Sequence, residues 1–158
     1  MDTLSGITVS LVDVYVLRGA GAELECLTLR RATGGRCPGS WEAVHGHIEP
    51  GETPAAAAQR EVLEETGLTP LRLYNLSRVE LFYRHRPDEV ALVPVFAAFV
   101  EPSATVRLSA EHDRHEWLRP DAARRRFAWP REHRAVDDIL ILVGGGDAGA
   151  VEDVLRVC

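Results

Sequence analysis

The chain has 158 residues, 46% of them hydrophobic, and carries a net charge of −6 at neutral pH. A chain of this size buries one sizeable core, and its acidic balance argues against a partner such as nucleic acid held by a basic surface. All eighteen cationic residues are arginine, so any side-chain cation that grips phosphate is a guanidinium, whose fork matches phosphate oxygens.

Cys26, Cys37 and Cys158 form no CxxC pair, and an odd number gives no disulfide framework. Reduced thiols are expected, with Cys26 in the core. The start, MDTLSGITVS, shows neither a basic region nor an apolar signal segment. No apolar run approaches the roughly 20 residues needed to cross a bilayer. These features lead to the expectation of a soluble cytoplasmic protein, monomeric or homodimeric, with no membrane partner.

In chain order, residues 7–18 (ITVSLVDVYVLR) are rich in β-branched side chains and nearly apolar on both faces, which predicts a buried central strand. RGAGAE supplies a turn, and residues 23–30 (ELECLTLR) are the predicted hairpin partner. Residues 31–40 read as a loop leading into WEAVHGHIE, a short strand pair. Next comes the stretch GHIEPGETPAAAAQREVLEETGL at 46–68. Thr53 suits an N-cap and Pro54 the first helical position, an alanine run with strong helix propensity follows, and Gly67 can close the helix in a left-handed conformation. Beyond it, residues 71–84 and 89–101 are predicted strands joined by HRPD, and Pro94 marks an edge or a bulge. RHEWL (114–118) is one more short strand, 120–126 a helical turn, and 131–143 an amphipathic helix with Ala135, Ile139 and Leu142 on one face. GGG at 144–146 breaks that helix, and GAVEDVLRVC reads as a terminal helix. No repeat or linker divides the chain, so a single domain over 1–158 of α/β class is expected.

The helix after Thr53 raises an electrostatic question. At about 100° per residue, Glu64 and Glu65 fall on either side of Glu61 in one stripe. Like charges at these spacings destabilise a bare helix by roughly 0.2–0.5 kcal/mol per pair. Arg60 is the one cation nearby. The neighbouring stripe, Ala55, Ala58 and Val62, is small and apolar, so the acids border a buried face. Hard divalent cations want clustered oxygen ligands, and a metal site would resolve the repulsion.

The same stretch resembles the signature of the Nudix hydrolases at every specified position: Gly46, five residues, Glu52, seven residues, then Arg60-Glu61-Val62-Leu63-Glu64-Glu65-Thr66-Gly67-Leu68. The resemblance implies a mixed β-sheet sandwiched between helices, with 46–68 as a loop–helix–loop catalytic motif. It also implies magnesium-dependent hydrolysis of a nucleoside diphosphate linked to a further moiety, with manganese able to substitute. Glu61, Glu64 and Glu65 match the family's metal-binding acids, and the Gly46 carbonyl is a further expected ligand. Arg60 would orient Glu61, while Glu52 would hold the loop against the helix and Gly67 would end it. The general base is either Glu61 or a glutamate outside the box. LSAEHDRHEWL (108–118) resembles the S-x-E-H-x-x-x-x-W segment of family members acting on dinucleoside polyphosphates, deoxynucleoside triphosphates and dihydroneopterin triphosphate, which makes Glu111 the outside candidate, as base or fourth acidic ligand.

Several residues are candidates for binding a small phosphorylated substrate. Arg84 and Arg86, on the turn between two long strands, can clamp terminal phosphates. His45 and His47 flank Gly46 and can touch phosphate. Trp41, Phe82, Tyr83 and Trp129 can stack a base, although core packing is the commoner use of such side chains. Trp117 is assigned to the core and Glu89 to an exposed turn, and the His112/His115 pair is read as packed or solvated rather than as zinc ligands. Val44-His45 replaces the Pro-Gly that often precedes the glycine in this family. The overall pattern looks most like the MutT-like nucleoside or dihydroneopterin triphosphate pyrophosphohydrolases. Dinucleoside polyphosphate and ADP-ribose hydrolases are alternatives, and a non-catalytic nucleotide-sensing Nudix module is the alternative of another class.

Overall fold

The computed structural model describes residues 6–158; the stretch Met1–Ser5, part of the start read above for a leader, lies outside it. Eight strands form one mixed sheet: β1 (Gly6–Thr8), β2 (Leu11–Arg18), β3 (Glu25–Arg31), β4 (Trp41–Glu42), β5 (Val44–His47), β6 (Arg72–Arg84), β7 (Glu89–Phe99) and β8 (His112–Leu118). Four helices complete it: α1 (Pro54–Thr66), α2 (Pro120–Arg126), α3 (Pro130–Leu142) and α4 (Glu152–Leu155).

β2 shows how the sequence builds a two-sided core. Val12, Val14 and Val16 pack with Ala57, Ala58 and Val62 of α1, while Tyr15 and Leu17 pack with Ala135, Val136 and Ile139 of α3. Successive side chains of a strand point to opposite faces, so an apolar run is required where helices cover both. β2 runs parallel to β7, pairing Asp13–Leu17 with Val95–Phe99. On its other side the ladder forks: Leu11–Val14 pair with β5, but Leu17 and Arg18 pair with β3.

The structure corrects several expectations. The segment 7–18 is two strands, interrupted at Val9 and Ser10, and each runs parallel to a different part of β7. β4 and β5 do not pair with each other; β4 joins β3 and β5 joins β2, on either side of the fork. Of the two readings of Pro94, the edge fails, because β7 has partners on both sides, and the bulge is met by the register shift between Asn75 and Val79. Pro94 lies opposite Val79, where β6 carries an irregularity with Ser77 at φ 53°, and where β1 has ended and β2 has not yet begun to pair. Missing its N–H, proline costs least at such a gap. The terminal helix is a single turn, after which Arg156 bridges to Tyr74 of β6. Trp117 sits at the rim of the core, half-buried under the Arg18 guanidinium, 4.4 Å from its ring.

Candidate metal and phosphate site

The box helix begins and ends as its sequence requires. Thr53 Oγ1 accepts a hydrogen bond from the Ala56 amide at 3.2 Å, Pro54 takes the first turn, and Gly67 closes it at φ 70°. α1 lies across β2 and β5, which sets Gly46 of β5 beneath Glu61. A Cβ on Gly46 would collide with the Glu61 carboxyl group, so glycine is needed there for close approach rather than for backbone conformation.

Arg60 ties the loop to the helix. Its Nε and Nη2 donate to the two Glu52 oxygens at 2.8 and 2.9 Å, Nη1 donates to Glu61 at 2.8 Å and Glu64 at 3.2 Å, and Nη2 also reaches the His47 carbonyl at 2.8 Å. Glu52 in turn accepts from the Glu49 amide at 3.0 Å, and the Arg60 hydrogen bonds hold its carboxyl down at about 2. Arg60 thus joins the Glu52 loop to Glu61 and Glu64 of the helix.

The three acids of the helix occupy different environments. Glu61 and Glu65 are buried, whereas Glu64 is more than half exposed. Burial pushes the Glu65 carboxyl up to about 10, helped by the charges of Glu61 and Glu111. Burial also raises Glu61, partly offset by Arg60. Glu65 Oε2 is buried with no hydrogen-bond partner. Among the described residues no three His, Cys, Asp or Glu side chains are grouped closely enough to hold a metal ion as they stand; Glu61 and Glu64 are both drawn to Arg60 instead.

Glu111 reaches the cluster through the loop after β7. The Arg107 and Ser109 amides donate to the Thr66 and Glu65 carbonyls at 2.7 and 3.3 Å, fastening that loop to the end of α1. Its carboxylate is exposed and lies 3.7 Å from Arg31. A cleft of about 560 Å³ is lined by Glu61, Glu64, Glu65 and Glu111 together with Arg31, Arg36, His45 and Arg60.

Arg31, Arg36 and His45 also line a second, smaller cavity of about 130 Å³, together with Glu42, Phe82, Trp129 and Arg131. Phe82 and Trp129 meet edge to face at 6.4 Å, with the Arg131 guanidinium 5.7 and 5.5 Å from their centroids. Behind them stands Asp13, only 2% exposed, which accepts from Arg131 Nε at 2.7 Å and from His45 Nδ1 at 2.5 Å. Burial alone would raise the Asp13 carboxyl, but His45 and Arg131 hold it below its ordinary value. It is therefore a carboxylate, and His45 carries its proton on Nδ1.

Other candidates fall elsewhere. Trp41 does not line either cavity; Arg126 covers its ring at 4.4 Å. Arg84 is paired with Glu89 across the β6–β7 turn, so Glu89 is half-buried and not the exposed acid expected. The Arg84 charge is felt at His47, whose pKa is lowered first by burial, then by His45 and Arg84. Arg86 is exposed at the turn, and Tyr83 is exposed with its hydroxyl donating to Asp88. His112 and His115 lie on a strand, where a spacing of three puts them on opposite faces; His112 is buried, donating from Nε2 to Glu42 at 2.9 Å.

Sequence reasoning passed over Asp13, Arg31, Glu42 and Arg131. The signal was available for Asp13: a lone acid inside an otherwise apolar strand has to be buried with a partner. Nothing local marked Arg31 or Arg131 among eighteen arginines.

Residues 8–139 match the NUDIX domain. The chain belongs to the NUDIX family. It is 41% identical over 115 residues to an octanoyltransferase of Myxococcus xanthus, covering 68% of this chain and 30% of that protein. It is 35% identical over 85 residues to the asymmetrical bis(5'-nucleosyl)-tetraphosphatase of Rattus norvegicus, covering 52% and 58%. The NUDIX chain thus spans less than two thirds of these relatives. Among solved structures, the dihydroneopterin triphosphate pyrophosphohydrolase of E. coli superposes with a TM-score of 0.65 at 25% identity, covering 82% of this chain and 94% of that one. The mixed sheet between helices is the NUDIX fold. Among the described residues no helix is long and apolar enough to cross a membrane.

Proposed function

We propose that this chain is a magnesium-dependent pyrophosphohydrolase that cleaves a phosphoanhydride bond in a nucleoside or pterin triphosphate. The observation that carries the reading is Glu65. A carboxyl that is buried, without a hydrogen bond at Oε2, where His112 Nδ1 stands off at 4.0 Å, and exposed to the charges of Glu61 and Glu111 is costly unless a cation offsets it. The donor set fits magnesium: it is all hard oxygen, with the Gly46 backbone brought against the acids and no thiolate among them. Glu61, Glu64, Glu65 and the Gly46 carbonyl would hold the ion, which when bound neutralises phosphate charge and lowers the pKa of a ligated water.

The chain's own residues supply the rest. Arg31 and Arg36, which line the same cleft as the acids, grip phosphate oxygens, and Arg60 fixes Glu61 through a charge-assisted bond. Glu111 is more than half exposed and, among the described residues, its carboxylate has a single ion pair, the 3.7 Å contact with Arg31; we assign it the proton of the attacking water as general base. Water adds to the α-phosphorus, the bridging P–O bond breaks, and the leaving pyrophosphate carries away the bonding pair, giving the monophosphate. The ring of the substrate stacks on Phe82 and Trp129 in the adjoining cavity. The relation to the rat tetraphosphatase supports a second reading, a dinucleoside polyphosphate hydrolase using the same acids. A sensor without turnover is disfavoured because every acid of the box is present.

Phosphate and pyrophosphate release, measured with and without magnesium for wild type and Glu64→Gln, tests this. Metal-dependent release lost in the variant supports the enzyme. Tight nucleotide binding with no release in wild type would replace it with the sensor.

A further inference from the structure

Within the proposed function, on which this inference rests, the smaller cavity has a hydrogen-bonding pattern of its own. Arg131 makes both of its hydrogen bonds to Asp13, from Nε at 2.7 Å and Nη2 at 3.4 Å, along one side of the guanidinium. Nη1 has no hydrogen-bond partner among the described residues, so the outer fork is left to whatever enters the cavity that Arg131 lines. Glu42 is the complement. Its Oε1 already accepts from His112 Nε2 at 2.9 Å and Arg31 Nη1 at 3.3 Å, whereas Oε2 accepts no hydrogen bond among the described residues. Burial would raise this carboxyl, but the bonds from His112 and Arg31 keep it below its ordinary value.

We propose that Glu42 and Arg131 select the 2-amino-4-oxopyrimidine edge shared by guanine and pterin rings, and reject adenine. That edge presents two adjacent donors, a ring N–H and an exocyclic amino group, followed by an oxo acceptor. The two lone pairs of Glu42 Oε2 take the donors, and the outer fork of Arg131 donates to the oxo oxygen and the neighbouring ring nitrogen, as guanidinium does to guanine elsewhere. Adenine inverts the pattern. It sets an amino donor against an Arg131 donor and a bare ring nitrogen against Glu42 Oε2, so that Oε2 gains no hydrogen bond and two donors face each other. Asp13 acts as a positioning residue, because it fixes the guanidinium that does the reading. Phe82 and Trp129 are indifferent to base identity, since every base has a π-face. Discrimination therefore falls on the two polar groups.

The experiment compares kcat/KM for GTP, dihydroneopterin triphosphate, inosine triphosphate, ATP and diadenosine tetraphosphate under saturating magnesium. GTP and the pterin should exceed ATP and the diadenosine compound by roughly 10–100-fold. Inosine triphosphate, which lacks only the 2-amino group, should fall between. In Glu42→Gln the GTP-to-ATP ratio should shrink toward that of inosine triphosphate to ATP, with circular dichroism confirming the fold. The inosine comparison needs no variant and stands if Glu42→Gln misfolds. Equal or faster turnover of either adenine compound overturns the selectivity while leaving the hydrolase reading intact. If no compound is hydrolysed, the hydrolase reading fails on its own. Calorimetric binding of GDP against ADP then decides the selectivity: a 10–100-fold preference for GDP upholds it, and equal affinity overturns it.

Discussion

Gly46 and Glu61 cannot both keep their positions if residue 46 gains a side chain, because a Cβ there would run into the Glu61 carboxyl group. The backbone of β5 and the acid of α1 are in contact, which is how a strand and a helix distant by fifteen positions in sequence come to share one ion site. Gly46→Ala should therefore displace Glu61 and lower kcat by about 10²-fold or more, as expected when positioning groups shift by an ångström. Its far-ultraviolet circular dichroism should be that of wild type. Steady-state kinetics beside a thermal melt separates the two effects.

Arg60 serves four acceptor groups at once, in Glu52, Glu61, Glu64 and the His47 carbonyl. Arg60→Lys keeps the charge but loses the planar fork. The melting temperature should fall by a few degrees, roughly 2–6 °C for a domain of this size, and kcat should fall much more than KM rises. A variant with wild-type kcat would show that Glu61 needs no orienting partner.

Without divalent metal, stability should depend on pH in an unusual direction. Glu65 is raised to about 10 and Glu132 to about 8, both chiefly by burial. Between the unfolded carboxylate range near 4.5 and these values the folded state binds more protons than the unfolded state. The slope of unfolding free energy with pH is then negative. In EDTA the melting temperature should decline steadily from about pH 5 to pH 9. Groups held low, such as Asp13 and Glu52, cost stability only on further acidification. Glu65→Gln should flatten much of the slope, with Glu132 retaining the remainder. Millimolar magnesium should raise the wild-type melting temperature most at the alkaline end, by mass action on the ionised form. A metal-free melting curve independent of pH would contradict the buried state of Glu65.

Asp13 holds both His45 and Arg131 from a buried position. Removing one partner of such a pair costs about 3–5 kcal/mol, because the other charge is stranded. Asp13→Ala should be markedly less stable to urea, and in the folded fraction KM for the preferred triphosphate should rise more than kcat drops. Unchanged KM would place the substrate ring outside the Phe82–Trp129 cavity.

The box helix and its caps were legible because they depend on local chemistry: an N-cap threonine, a proline at the first position and a left-handed glycine. The strands were legible from alternation and β-branching. What the sequence concealed is set by long-range pairing. The fork of β2 between β5 and β3, the break at Val9 and Ser10, and the meeting of Glu42 with His112 join residues far apart in the chain. Trp41 illustrates the limit. Its identity suits base stacking, but Arg126 of α2 lies over it, and Trp129 at the start of α3 lines the cavity instead.

The most direct measurement is anomalous diffraction from crystals grown with manganese and a non-hydrolysable GTP analogue. A strong peak should lie among the Glu61, Glu64 and Glu65 carboxylates and the Gly46 carbonyl, with Glu111 beside it. Full nucleotide density accompanied by no anomalous peak at those oxygens would contradict a metal-built hydrolytic centre.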